Sequence, residues 1–77
     1  MEQEKMITLD GKECYILVDD IVKDNRYLYV AEIENEDTTG NFYLYKVIGE
    51  KQYEKVVDGL QLKAILPTIV SIMNNNM

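Results

Sequence analysis

From Met6 to Ile48 apolar residues fall in short runs bounded by polar turn signals, and from Leu62 they recur every three or four. Runs of the first kind are strands whose side chains alternate between two partly apolar faces; the second spacing is that of a helix. Met6–Leu9 is predicted as a short strand. Asp10-Gly11 follows, and glycine there accepts positive φ and closes a two-residue hairpin turn. Glu13–Val22 is the return strand; its alternation stumbles at Asp19-Asp20, so either one of the two acids faces inward or the strand bulges or bends there, a bulge being the commoner solution. Lys23-Asp24-Asn25 reads as the second turn.

Two tyrosine-rich segments, Arg26–Ile33 and Asn41–Ile48, form the centre of the pattern. In the first, Tyr27, Tyr29, Ala31 and Ile33 share one face while Leu28, Val30 and Glu32 share the other. In the second, Phe42, Leu44 and Ile48 lie with Lys46, and Tyr43, Tyr45 and Val47 lie opposite. The segment between them, Glu34–Gly40, is polar and reads as a mobile loop. Gly49–Gln52 is a further turn, and Tyr53–Val57 an edge strand that Glu54 and Lys55 guard against pairing. Asp58 is placed to cap a helix, with Gln61 three residues on in a capping-box arrangement. Leu62, Ile65, Leu66, Ile69, Ile72 and Met73 make the apolar stripe. Pro67 lies inside it, lacks an N–H and crowds the carbonyl of Lys63, so the helix is expected to be kinked or split.

The predicted architecture is α+β: a four- to five-stranded antiparallel meander with one C-terminal helix packed on a face. The domain is expected to span residues 6–73, with a disordered start over 1–5 and a frayed tail over 74–77.

Composition narrows the function. At 77 residues the chain is one small domain, and Cys14 is its lone cysteine, so no disulfide supports the core. A single thiol suits a reducing cytosol. The chain has no histidine, which excludes an imidazole-based triad and a zinc set of the usual kind. No glycine-rich phosphate loop is present. The net charge is −6, and residues 1–45 carry eleven acids against four bases. Lys and Arg do not cluster, so direct binding to nucleic acid or to an anionic membrane is not expected. The acidic start Met1–Lys5 does not read as a signal peptide, and Leu60–Met73 reads as too short to span a bilayer comfortably. The reading is a cytoplasmic protein that is not an enzyme and carries no cofactor and no metal.

The candidate chemistry is therefore recognition. Tyr27, Tyr29, Tyr43 and Tyr45 present amphipathic rings suited to sheet packing or to an interface. Glu32, Glu34, Glu36 and Asp37 form a carboxylate run. On an extended strand, alternate side chains stand about 6.6–7 Å apart, the order of the phosphate spacing on nucleic acid. A row of this kind would let the chain imitate nucleic acid toward a protein that binds it. Asp19, Asp20 and Asp24 offer a small-ligand or hard-cation site in outline, without the calcium-loop spacing. The helical residues Leu62, Ile65, Leu66, Ile69, Ile72 and Met73, with Leu60 and Val70, wrap more widely than one face needs. That excess suggests a second partner, most simply another copy of the chain as a homodimer.

Ile7-Thr8-Leu9-Asp10-Gly11, the strand ending Leu17-Val18-Asp19, the Asp24-Asn25 turn into Tyr27-Leu28, the acidic stretch Glu34–Asp37 and a terminal helix together resemble the YrzB-like family of small acidic bacterial proteins. The likeness spans most of residues 6–70. Members tend to be strongly acidic near their end, where this chain is close to neutral and carries Pro67. The resemblance implies a fold and no activity. Size and charge are also similar to those of phage accessory proteins. The expectation is a bacterial or phage accessory module that binds a protein partner.

Overall fold

The computed structural model describes residues 5–75. Five antiparallel strands follow one another as a meander: β1 (Lys5–Leu9), β2 (Lys12–Val22), β3 (Asn25–Glu34), β4 (Asp37–Gly49) and β5 (Gln52–Lys55). One helix, α1 (Gly59–Asn75), closes the chain. The α+β meander with a C-terminal helix is thus the observed fold. The expectations for residues 1–4 and 76–77 lie outside the described residues. Lys5 belongs to β1, and Asn74 and Asn75 to α1.

The first three hairpins are set by left-handed turn pairs. Asp10-Gly11 has φ of 53° and 79°, Lys23-Asp24 52° and 70°, and Asn35-Glu36 55° and 70°. Each pair lies between partnered strand ends: Leu9 with Lys12, Val22 with Asn25, and Glu34 with Asp37. Two consecutive left-handed residues match the right-handed twist of the flanking strands. The expected mobile loop Glu34–Gly40 is therefore replaced by a tight Asn35-Glu36 turn, after which Asp37–Gly40 already belongs to β4.

Irregularities in the ladder decide which residues face the helix. β2 shifts register between Ile16 and Val18, so Leu17 is the extra residue. Cys14 and Ile16 then point to one face and Val18 and Val22 to the other, where strict alternation would have put all four together. The bulge expected at Asp19-Asp20 is thus displaced to Leu17. Asp19 and Asp20 pair regularly with Leu28 and Tyr27 and lie on opposite faces. In β4, Phe42 pairs with Ala31 but Thr38 pairs with Ile33, leaving Thr39-Gly40-Asn41 opposite Glu32 alone. Gly40 carries φ of 90° at the crest of this wide bulge.

α1 packs on the face of Val18, Val22, Tyr27, Leu44 and Val56, into which Ile65 and Ile69 insert. Leu62, Leu66, Ile72 and Met73 are partly buried around them. The other face also has a core: Leu9, Cys14, Leu28, Val30 and Tyr45 are all buried without any helix above them. Curling of the sheet explains this. β2 and β4 would lie about 10 Å apart in a flat sheet, yet the Tyr45 hydroxyl donates to Asp10 Oδ2, in the β1–β2 turn, at 2.7 Å. The sheet has closed over its own concave face. Its central strand β3 is buried on both sides.

The helix runs unbroken through Pro67. Pro67 and Lys63 are both exposed, so water can satisfy the carbonyl that proline leaves without a donor. The first helical bond runs from the Leu62 N–H to the Asp58 carbonyl at 2.9 Å, so Asp58 stands at the N-cap position. The expected return of Gln61 to the cap does not occur. Gln61 Nε2 instead donates to the Tyr27 hydroxyl at 3.5 Å, because Tyr27 is buried beneath the first turn and needs a polar partner.

Candidate partner-binding surface

Two of the four tyrosines singled out above are core residues. Tyr27 is 2% exposed and Tyr45 3%, one in each face of the sheet. A curled five-stranded sheet with a helix on its outer side leaves neither face bare enough to display them. Tyr29 and Tyr43 are half-buried. Tyr29 stacks on the half-exposed Phe42 with ring centroids 5.9 Å apart and 28° between the planes.

The carboxylate run also divides. Glu32 lies on the concave face, where Thr39 Oγ1, Asn41 Nδ2 and the Tyr43 hydroxyl donate to its Oε1 at 3.1, 3.0 and 3.3 Å. Lys12 Nζ lies 3.8 Å from Oε2. The wide bulge in β4 brings Thr39 and Asn41 to this carboxylate, and the carboxylate in turn holds the bulge. The Asn41 bond above all, with the Thr39 bond, Lys12 and the Tyr43 bond, keeps the Glu32 carboxyl below the usual carboxylate range. Glu34 and Asp37 face each other across the closing pair of the turn, and Glu36 lies within it, all exposed. Glu32 is thus withdrawn from the row, and the acidic tip consists of the other three.

The aspartates of the cation outline are likewise separated. Asp19 forms a two-pronged pair with Arg26, Nε to Oδ1 and Nη2 to Oδ2, both at 2.7 Å, and the Arg26 bonds hold its carboxyl below the ordinary range. Asp20 Oδ1 accepts from the Ile21 N–H at 2.7 Å. Asp24 belongs to the second turn. Among the described residues no group of three or more Cys, Asp or Glu side chains converges as a metal would require. Cys14 is buried beside Glu32, and burial first and that charge second raise its thiol pKa, the opposite of what a nucleophile needs.

Among the described residues an apolar depression lies between α1 and the outer edge of β4. β5 ends at Lys55, and the chain makes one further sheet-like bond, from the Val56 N–H to the Leu44 carbonyl at 2.8 Å, before leaving for the helix. β4 extends on past Leu44 back to Asp37 with no described strand on that side. A groove of about 420 Å³ opens at this point, lined by Tyr29, Phe42, Lys55, Val57, Leu62 and Leu66 among others. It runs on into a shallower apolar surface of Leu62, Lys63, Leu66, Pro67 and Val70. Val57 is 76% exposed and Leu60 78%. Among the described residues lysine is the only charged type lining either depression. Of the six helical residues singled out in the sequence, Ile65 and Ile69 are buried against the sheet and Leu62 and Leu66 border the groove. Ile72 and Met73 pack at the margin of the core. The exposed apolar positions Val57 and Phe42 were missed because each falls at the end of a strand pattern, where alternation no longer tells inside from outside.

No helix among the described residues is long and apolar enough to cross a membrane. No family model matches the chain, and comparison with curated proteins and with solved structures gives no match.

Proposed function

We propose that the chain is a small, non-enzymatic protein-interaction module that contacts its partner through the surface between α1 and β4. One observation carries this reading. On a chain of net charge −6, an apolar surface runs from Phe42 across Val57 and Leu62 to Pro67 and Val70, with lysines as the only charges lining it among the described residues. Charge depletion around an apolar centre is the compositional mark of an interface core. The acidity elsewhere discourages random association and steers encounter toward this one region. A homodimer through the helix belongs to the same proposal, since α1 carries a single charged residue, Lys63, in 17. The likeness to YrzB-like proteins adds a bacterial setting, and the lone thiol adds a reducing, cytoplasmic one.

Affinity capture tests the proposal, using the wild-type chain and the exposed-site variants Val57→Glu and Val70→Glu. The expected result is a defined set of proteins, or a second copy by light scattering, held by the wild type and lost from at least one variant. Identical retention by all three chains, with each a monomer, would sink it.

A further inference from the structure

We infer that the groove receives an extended peptide segment of a partner protein. It would add as a short strand beside Phe42 in the lane that β5 vacates, with an apolar side chain between Phe42, Val57 and Leu62 and a carboxylate near Lys55. This inference rests on the interaction reading and specifies the form of the partner.

Three independent features define that occupant. The first is main-chain hydrogen bonding. Leu44 turns its carbonyl toward the β5 lane, where Val56 N–H meets it. Pairing of β4 with β3 is regular from Phe42 to Lys46, so alternation directs the N–H and C=O of Phe42 into the same lane. No described strand reaches them. An extended backbone satisfies such groups in pairs, whereas a docking helix has its own bonded internally. The second feature is the floor of the groove. Phe42 is 50% exposed and Val57 76%, and both line the 420 Å³ groove. An added strand projects every second side chain toward the helix side of the sheet, which is where this groove lies. The third feature is charge. Among the described residues Lys55 is the only charged one lining the groove, while Glu54 and Asp58 line the depression that adjoins it. The Lys55 Nζ sits 4.3 Å from the Tyr43 ring centroid, on the sheet face opposite Phe42, where the residues of an added strand that alternate with its apolar side chain would project.

The bulge at Thr39-Gly40-Asn41 limits the length of this strand and decides against a second copy in the lane. Asn41 gives its N–H to Thr39 Oγ1 at 3.3 Å, and the extra residues push the edge out of line. A bulge of this kind blunts pairing of two long edges. The open lane suits a few residues of a foreign segment.

The test uses the full chain and short random peptides displayed on phage, panned for binding. The inference expects enriched sequences with an apolar residue flanked by Asp or Glu. A synthetic peptide of the enriched sequence should weaken about ten-fold or more when the amide facing Phe42 is N-methylated, and change little on methylation of its neighbours. Val57→Glu should weaken it similarly, and Lys55→Glu should reverse the preference for acids. Failure to enrich any peptide, or indifference to N-methylation, overturns strand addition. So does binding lost in Val70→Glu but kept in Val57→Glu, although that result leaves the interaction reading intact. A dimer of the chain itself that Val57→Glu dissociates would put a second copy in the groove and also overturn the inference.

Discussion

Glu32 and Asp19 each hold two strands together through a carboxylate, and both are kept below the usual carboxylate range by their partners. A carboxyl with a depressed folded pKa stabilises the fold fully above its unfolded value, about 4, and loses that contribution as pH falls through the folded value. Stability should therefore be flat from neutrality to about pH 5 and fall below about pH 4. Thermal melts of Glu32→Gln and Asp19→Asn across this range should show lower midpoints at neutral pH and a shallower acid limb than the wild type. A wild-type acid limb retained in both variants would contradict these roles. Tyr45 makes a different kind of closure. Burial first, and the bond to Asp10 second, raise its pKa, so it remains a donor through any ordinary pH. Tyr45→Phe removes a side-chain bond that spans the curl. It should cost about 1.5 kcal/mol by denaturant unfolding, the low end for a bond to a charged group because Asp10 is exposed.

At the level of elements, two features work against intrinsic preference. Pro67 interrupts the hydrogen bonding of α1 yet leaves it continuous. Because its ring is exposed and not in the core, Pro67→Ala should stabilise the chain by about 1–2 kcal/mol. That is less than the full helical penalty of about 3 because proline also restricts the unfolded chain. The Asn35-Glu36 turn places a glutamate at φ of 70°. Glu36→Gly relieves the left-handed strain and should raise the melting midpoint, with a gain of up to about 1 kcal/mol after the entropy of glycine is subtracted. Ile69, fully buried under the sheet, sets the opposite scale: Ile69→Ala should cost about 2–5 kcal/mol.

For the molecule as a whole, what could be read in advance depended on whether a signal was local. Asp10-Gly11 announces its turn because glycine is the residue that positive φ favours. Lys23-Asp24 turns the same way with no glycine, and its residues leave the turn type open. The apolar stripe of α1 is visible because periodicity over several turns outweighs one proline. The shift at Leu17 is not, since the acids at Asp19-Asp20 disturb the pattern two residues from where the backbone gives way. The curl is the least legible feature. It depends on Tyr45 reaching Asp10 from 35 positions away, and it converts an expected tyrosine surface into a second core. The same closure leaves the proposed partner surface at the end of β5. There the sheet runs short of strand, and Val57 and Phe42 lie open beside a helix almost free of charge.

The open lane beside Phe42 is the point on which this account of recognition turns, and amide hydrogen exchange reads it directly. In the free chain the Phe42 amide should exchange rapidly while those of Tyr43 and Tyr45, bonded into β3, remain protected. On saturation with the selected peptide, Phe42 should become protected by at least ten-fold, and the interior of α1 should be unaltered. A Phe42 amide already protected in the free chain, or one that exchanges as fast with peptide bound, would contradict the account.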